Sequence, residues 1–244
     1  MLAQWRDLDD TVNYDEVVDR RSQIPINTRV PDARIPVVFL LDTSGSMHGT
    51  RISKVNEMMR RIVRALEADA LARVKVEIAV VTFSTHSQVV HDFALPGQYT
   101  HSDLQAAGRT AMGEALDKAL DLIEARKHSY RHGGVDYHRP WLVMLTDGLA
   151  TDDVSAVLGR IKDYQARKKI VFLPFAIDVS EREFKNLLEV SERTLLIDES
   201  TIDELGAYLV QNLRSCSASA PSDAVQLSDP TPLIDQKMFQ WQNP

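Results

Sequence analysis

Short apolar runs alternate with amphipathic stretches along most of this chain, a pattern typical of β-α units around a mostly parallel sheet. The first run, 35–41, is an uninterrupted apolar segment and predicts a buried strand. Apolar residues then recur every three or four positions over 52–66, which predicts a helix with one buried face. The first two elements already indicate an α/β protein.

The later segments continue this alternation. The segments 74–80 and 88–90 predict an antiparallel hairpin at the edge of the sheet, and 93–109 predicts a long loop. We therefore expect a Rossmann-like α/β fold, with a central mostly parallel sheet, one antiparallel edge strand and helices on both faces. The remaining predicted elements are helix 112–123, strand 141–145, helix 153–167, strand 170–177, helix 181–190, strand 194–197 and helix 201–213.

The composition changes at both ends of this core. Residues 1–34 mix acidic with isolated aromatic residues, and 215–232 are rich in Ser, Ala, Asp and Pro, as linkers are. Apolar residues return over 233–241, which is compatible with a docking segment or with a flexible tail. We expect an N-terminal extension over 1–34, one folded domain over 35–214, and a linker and tail over 215–244.

The net charge limits the classes of partner. The chain of 244 residues has 28 Lys and Arg against 35 Asp and Glu, a formal net charge of -7, which disfavours nucleic acid and anionic membranes. No segment has the length of a membrane span, and the acidic start is unlike a secretory signal. The single cysteine, Cys216, can form no internal disulfide, and its serine neighbours suggest a loose surface stretch. We expect a cytoplasmic protein.

The strongest chemical signal follows the first strand, at Asp42-Thr43-Ser44-Gly45-Ser46. In an open α/β sheet, the loops at the carboxyl ends of the strands form the ligand crevice. Oxygen-bearing side chains recur here at every second position, and Gly45 permits a sharp turn that brings them together. Such hard oxygen ligands favour Mg²⁺, Mn²⁺ or Ca²⁺ over zinc.

Two other segments are expected to reach the same edge of the sheet. The segment 108–113 ends the long loop and opens a helix, with a hydroxyl at Thr110 and a small residue at Gly113 that permits close approach of the backbone. Asp147 follows the strand 141–145 and precedes a turn glycine. The three segments together supply two carboxylates and three hydroxyls.

These residues resemble the metal-ion-dependent adhesion site (MIDAS) of von Willebrand factor type A domains, which consists of Asp-x-Ser-x-Ser, a distant Thr, and a distant Asp in Thr-Asp-Gly. The resemblance covers roughly residues 35–213. It implies that the three hydroxyls coordinate one cation directly or nearly so, and that the two carboxylates act partly through bound water. The residues of this expected metal site are Asp42, Ser44, Ser46, Thr110 and Asp147.

The resemblance also implies a function. The motifs Asp-Thr-Ser-Gly-Ser-Met and Leu-Thr-Asp-Gly-x-x-Thr-Asp-Asp are most similar to the bacterial cytoplasmic branch of the family, the TerY-like proteins of tellurium-resistance and stress clusters. Because neutral hydroxyls leave the cation with much of its charge, we expect it to bind an Asp or Glu carboxylate of a partner protein without catalysing a reaction. By family analogy, the partners include kinases, phosphatases or ATPases.

Two other functions remain open at this point. A metal-dependent phosphatase or hydrolase would use Asp42 as the nucleophile, but such enzymes place an acid two residues later, where this chain has Ser44. A scaffold or adaptor of an ATPase would keep the same fold and hold a mainly structural metal. The identity of the partner would separate these functions, and the sequence does not give it.

Two alternative ligand arrangements also remain open. His128, His132 and His138 would offer a zinc site if the helix over 112–123 extended that far, but 131–134 predict an exposed loop instead. A carboxylate of the acidic tails, such as Asp235, would be able to occupy the metal of its own chain.

Overall fold

The computed structural model describes residues 32–180, 189–191, 194–223 and 226–230. The predicted helix over 181–190 lies almost entirely outside the described residues, as do nearly all of the N-terminal extension and the apolar tail after residue 230.

Six strands form one sheet. Their bounds are β1 Ile35–Asp42, β2 Val76–Phe83, β3 Ser87–Ala94, β4 Trp141–Thr146, β5 Val171–Ile177 and β6 Leu195–Ile197. Their order across the sheet is β3-β2-β1-β4-β5-β6. Strand β3 is antiparallel to β2, whereas the other described pairs are parallel. The expected mostly parallel sheet with one antiparallel edge strand is confirmed.

Helices cover both faces of the sheet. Their bounds are α1 Thr50–Glu67, α2 Ala72–Lys75, α3 Met112–Gly133, α4 Ser155–Ala166 and α5 Ile202–Ser217. Alternate residues of a strand face opposite sides, so Phe39 packs in the core with α1 and α5, whereas Leu40 packs with α3 and α4. The central strands are therefore apolar throughout, as strands covered on both faces are. No helix in the described part of the chain has the length and apolar character that a membrane span requires.

The hairpin differs from its predicted bounds. The first strand was expected from residue 74, but the chain there forms the helical turn α2. Asp69 accepts hydrogen bonds from the backbone N–H of Leu71 at 3.0 Å and of Ala72 at 2.9 Å, and these bonds stabilise that turn. Strand β3 is longer than the expected 88–90, and its register with β2 shifts on both sides of Val80.

Helix α3 continues past residue 123 to Gly133, so most of the segment 131–134, which was expected to be an exposed loop, is helical. Tyr130 is buried there, and its hydroxyl donates a hydrogen bond to Glu77 on β2. The helix ends at Gly133, and the next residue, Gly134, has a φ of 64°, the left-handed conformation that commonly follows the last turn of a helix. The loop prediction was wrong because the buried contacts of Tyr130 stabilise a longer helix, which Gly134 then caps.

The residues at the end of α5 make buried contacts that their serine-rich composition does not predict. Cys216 is buried, its Sγ lies 3.6 Å from Nδ1 of His138, and burial raises the pKa of the thiol to about 11. The chain after α5 returns along this helix, where the Ser228 N–H donates to Asn212 Oδ1 at 2.8 Å and Leu227 packs against the core. The expected loose surface stretch around the cysteine is therefore wrong.

Candidate metal centre

The candidate site lies between β1 and β4, where the order of the strands reverses. The loops that follow two such strands leave the carboxyl edge of the sheet in opposite directions and open a crevice. Leu41 is paired in register with Leu145, so the next residues, Asp42 and Thr146, end the two strands side by side. The topology of the sheet therefore brings together residues that are about one hundred positions apart in the chain.

Asp42 anchors the loop that follows β1. The residue is 1% exposed, and its Oδ1 accepts a hydrogen bond from the Ser44 N–H at 2.7 Å while its Oδ2 accepts one from Thr146 Oγ1 at 2.5 Å. Burial raises the pKa of the Asp42 carboxyl, and these hydrogen bonds offset the rise only in part. The role of Thr146 was not predicted from the sequence, although its place directly before Asp147 was an available signal.

The two serines connect Asp42 to the second carboxylate. Ser44 Oγ lies 3.0 Å from Ser46 Oγ, and Ser46 Oγ donates a hydrogen bond to Asp147 Oδ1 at 2.6 Å. Because Ser44 also contacts Asp42, four of the five predicted site residues form one continuous chain of contacts.

Thr110 reaches the same place from the start of α3. A Cβ added at Gly148 would lie 3.7 Å from Thr110 Oγ1 and 3.8 Å from Ser46 Oγ, so both hydroxyls border one small space. The backbone of Thr110 is held by Thr151, whose N–H donates to the Thr110 carbonyl at 2.8 Å. The structure thus brings all five predicted residues to one edge of the sheet, and their role as metal ligands stays a prediction.

The long loop before α3 supports the turn after β1 through backbone hydrogen bonds. The Gly45 N–H donates to the Gly108 carbonyl at 3.0 Å, and the Ala107 N–H donates to the Thr43 carbonyl at 2.8 Å. Gly108 has a φ of 88° and approaches Thr85 so closely that a side chain would not fit. The long loop therefore fixes the turn that carries both serines.

Asp152 links the β4–α4 loop to the start of α3. Its carboxylate accepts hydrogen bonds from the N–H groups of Gly113 at 3.0 Å and Glu114 at 2.9 Å, which the helix itself leaves without partners. A Cβ at Gly113 would lie 2.5 Å from the Asp153 carbonyl oxygen, so the close backbone approach expected at this glycine is confirmed. The role of Asp152 was not predicted from the sequence, where the available signal was the acidic pair after the turn glycine.

Arg51, in the first turn of α1, lies at the rim of the candidate site. Its Nη1 is 2.7 Å from Asp147 Oδ2, its Nη2 is 2.9 Å from Asp178 Oδ2, and its Nε is 3.5 Å from Glu199 Oε2. The Asp147 side chain is fully buried, whereas that of Arg51 is 27% exposed. This arginine was not predicted from the sequence, because its partners come from loops that follow three different strands.

The donor atoms suit a hard divalent cation. The five residues offer hydroxyl and carboxylate oxygens and neither sulfur nor imidazole, which is the ligand chemistry that Mg²⁺, Mn²⁺ and Ca²⁺ prefer. The buried carboxyl of Asp42 has a raised pKa, and a nearby positive charge would stabilise its ionised form. The residues present therefore fit a divalent cation.

The histidine alternative gains no support from the structure. The rings of His128 and His132 stack 6.5 Å apart on exposed positions of α3, whereas His138 contacts Cys216. Across the described ranges, no group of three or more His, Cys, Asp or Glu side chains is placed to hold a metal ion.

The fold and the site define an α/β protein with an oxygen-lined crevice at the carboxyl edge of its sheet. The sequence model of the von Willebrand factor type A domain matches residues 37–199. The chain belongs to this family.

A curated relative matches this chain over a small part of a much longer sequence. The collagen alpha-5(VI) chain of Mus musculus is 28% identical over 185 residues, which cover 72% of this chain and 6% of the collagen.

Solved structures show the same fold. A von Willebrand factor type A protein from Catenulispora acidiphila matches with a TM-score of 0.55 and 19% identity, over 75% of this chain and 43% of that one. The pilus adhesin SpaC from Lactobacillus rhamnosus GG matches with a TM-score of 0.61 and 13% identity, over 75% of this chain and 30% of the adhesin. Proximal thread matrix protein 1 of the mussel byssus, with a zinc-occupied MIDAS motif, matches with a TM-score of 0.51 and 18% identity, over 77% of this chain and 47% of the mussel protein. The chain spans less than half of each of these proteins.

Proposed function

We propose that this chain is a metal-ion-dependent protein-recognition domain, which binds one divalent cation and, through it, an Asp or Glu carboxylate of a partner protein. The observation that supports this most is the chain of contacts from Asp42 through Ser44 and Ser46 to Asp147, with Thr110 Oγ1 beside the same space. When bound, the cation supplies a positive charge that an anionic oxygen of the partner coordinates.

The residues of this chain hold and orient the donor oxygens. Asp42 is fixed by the Ser44 N–H and by Thr146, and Asp147 is fixed by Ser46 and Arg51. The hydroxyls are neutral, and one of the two carboxylates already pairs with an arginine. The cation therefore keeps much of its charge, and the site retains affinity for a further anionic oxygen.

Magnesium is the cation we propose, with manganese and calcium as alternatives. The reason is that all five donors are hard oxygens and that magnesium is usually held by few protein groups together with water. The zinc-occupied MIDAS of the mussel protein supports a divalent cation at this type of site.

A binding role fits the site better than an enzymatic one. Both oxygens of Asp42 are engaged in short hydrogen bonds within a 1% exposed residue, which leaves this carboxylate poorly placed as a nucleophile. The residue two positions later, Ser44, has no acidic proton to give to a leaving group. An ATPase scaffold with a mainly structural metal is a further variant of the binding role.

The cellular setting that we propose is the bacterial cytoplasm. This assignment to the TerY-like branch, with kinase, phosphatase or ATPase partners, rests on the two sequence motifs around Asp42 and Asp147. The similar structures include a pilus adhesin and a byssus thread matrix protein, so the family also works in other settings. Recovery of a partner in magnesium and its loss in EDTA, with a fold that circular dichroism shows to be unchanged in EDTA, would separate metal-dependent recognition from a structural metal.

The first test is calorimetric titration of Mg²⁺ and Mn²⁺ into the purified chain. We expect saturable binding at one site and an affinity roughly 10- to 100-fold lower in Ser46→Ala and Thr110→Val, because each variant lacks one donor oxygen. Ser53→Ala is the matched control, since its hydroxyl donates to the Gly49 carbonyl at 3.0 Å within α1. Circular dichroism checks that each variant folds, and unchanged affinity in both site variants would contradict the proposed function.

A further inference from the structure

Arg51 brings a permanent positive charge to a place that is unfavourable for one. It stands in the first turn of α1, which begins at Thr50, and the start of a helix favours anions over cations. The arginine is therefore kept at this position by its side-chain partners and not by the helix.

Those partners are three carboxylates from three different loops. Asp147, Asp178 and Glu199 follow β4, β5 and β6, and each lies within 3.5 Å of a nitrogen of the same guanidinium. The rigid planar fork of an arginine suits such divided contacts better than a lysine would. One of the three, Asp147, is also a residue of the proposed metal site, whereas Asp178 and Glu199 are not.

We propose that Arg51 sets the charge of the metal site, so that it weakens binding of the divalent cation and strengthens binding of the partner's anionic group. This inference rests on the proposed function and deepens it. Asp178 and Glu199 hold the guanidinium in the position from which it acts.

Weaker metal binding is expected from the contacts of Asp147. Its Oδ1 accepts from Ser46 and its Oδ2 accepts from Arg51, so both oxygens are engaged. A cation that took Asp147 as a direct ligand would compete with these donors for the lone pairs of the two oxygens. The guanidinium also stays protonated at all accessible pH values, so it repels any cation nearby.

Stronger anion binding is expected from the exposure of Arg51. The Arg51 side chain is 27% exposed, whereas the Asp147 side chain that it contacts is buried. A carboxylate that approaches the crevice from solvent therefore meets two positive groups, the cation and the guanidinium. Arginine pairs well with carboxylates, and partly exposed charges a few ångströms apart still interact appreciably.

The test compares magnesium titrations of the unmutated chain with those of Arg51→Gln. We expect the affinity of Arg51→Gln for Mg²⁺ to be about three- to tenfold higher at an unchanged stoichiometry of one. Arg61→Gln is the matched control, because it removes the same charge from α1 at an exposed pair of contacts with Glu57 and Asp203. Arg51→Lys keeps the charge but not the planar fork, so its affinity for Mg²⁺ should lie between those of the unmutated chain and Arg51→Gln.

A second readout follows the anionic group. Acetate is titrated into the magnesium-saturated protein while the amide resonances of the loop after β4 are followed by nuclear magnetic resonance. We expect acetate to bind at least about threefold more weakly to Arg51→Gln than to the unmutated chain or Arg61→Gln. Arg51→Met provides a second neutral variant of similar length if Arg51→Gln does not fold.

The outcomes separate the two proposals. Absence of magnesium binding to the unmutated chain would overturn the proposed function and this inference with it. Normal binding with no change in Arg51→Gln would overturn the role of the arginine alone. A second equivalent of Mg²⁺ in Arg51→Gln would also overturn it, because the guanidinium would then fill a separate cation position.

Discussion

Gly113 is the residue at which the first turn of α3 crosses the loop after β4. A Cβ there would lie 2.5 Å from the Asp153 carbonyl oxygen and 3.0 Å from Asp152 Oδ2. The two segments that meet at this glycine also carry Thr110 and Asp147. Their close approach therefore sets the distance between a hydroxyl and a carboxylate of the proposed metal site.

Substitution of this glycine should damage both stability and metal binding. In Gly113→Ala we expect a loss of about 1–3 kcal/mol in the free energy of unfolding, because a backbone oxygen cannot move aside as a flexible side chain does. We also expect weaker magnesium binding. Urea denaturation and calorimetry measure the two effects.

Gly159 in α4 offers the matched control. A Cβ there would meet nothing within 4 Å, so Gly159→Ala should be neutral or stabilise the protein by up to about 1 kcal/mol. If both alanine variants unfolded at the same urea concentration, the tight contact at Gly113 would have no energetic importance.

At the scale of elements, strand β2 and helix α3 are joined by buried charges. Glu77 is 4% exposed, and its Oε2 accepts hydrogen bonds from Arg126 Nε at 2.8 Å, from Arg126 Nη2 at 2.6 Å and from the Tyr130 hydroxyl. Arg34 Nε lies 3.7 Å from the other oxygen, Oε1. One carboxylate thus compensates two buried guanidinium groups.

Removal of this carboxylate charge should be costly. Glu77→Gln is expected to lower the free energy of unfolding by about 3–5 kcal/mol, because both guanidinium groups stay buried with less compensation. Glu57→Gln is the control, since Glu57 pairs with Arg60 and Arg61 on the exposed side of α1 and should cost less than about 1 kcal/mol. Urea denaturation measures the free energy of unfolding of both variants. An equal decrease in the two would argue against a structural role for the buried cluster.

The long loop before α3 is tied to α1 through His101. Its Nε2 lies 3.1 Å from Asn56 Oδ1, and its Nδ1 lies 3.3 Å from the Tyr99 hydroxyl. Burial lowers the pKa of His101, and the positive charge of Arg60 lowers it further. The carboxylates that oppose this shift are Asp103 and Glu57. The folded protein therefore favours the neutral ring.

Stability should consequently fall on mild acidification. Folded His101 binds a proton less readily than the unfolded chain does, so its contribution is complete above the ordinary pKa of 6.5 and declines as the pH falls below it. The lowered pKa of buried His138 acts in the same direction. We expect the free energy of unfolding to decrease between about pH 7 and pH 5.5, and to decrease less in His101→Gln.

Urea denaturation in EDTA at several pH values measures this dependence. Burial raises the pKa of the carboxyl groups of Asp42 and Asp92, which act in the opposite direction, so the comparison between the variant and the unmutated chain isolates His101. An identical pH dependence in His101→Gln would show that the contacts of this ring do not depend on its protonation.

At the scale of the whole molecule, the sequence predicts the sheet and the place of the site because both follow from local patterns. The apolar run before Asp42 identifies a strand buried on both faces, and the end of such a strand is a position at the ligand edge. The same reasoning places Asp147 at that edge. No knowledge of distant contacts is needed for either step.

The features that the sequence did not predict depend on contacts between distant segments. Arg51 looks like an ordinary surface residue of α1 until the loops after the neighbouring strands are brought beside it. Thr146 becomes important only because β4 lies next to β1. The extension of α3 likewise depends on Tyr130 reaching a carboxylate on β2.

The contacts that the chain makes at the end of α5 and after it determine where the protein can be shortened for expression. The family match ends at residue 199, and the predicted domain boundary at residue 214 cuts through α5. A gene that ended there would encode a protein without the Ser217 carbonyl, which accepts a hydrogen bond from Lys75 Nζ at 2.9 Å. That protein would also lack the buried thiol of Cys216 and the apolar side chain of Leu227 that packs against the core. A gene that ends after residue 230 retains all three and is the shorter form to choose for crystallisation or spectroscopic labelling.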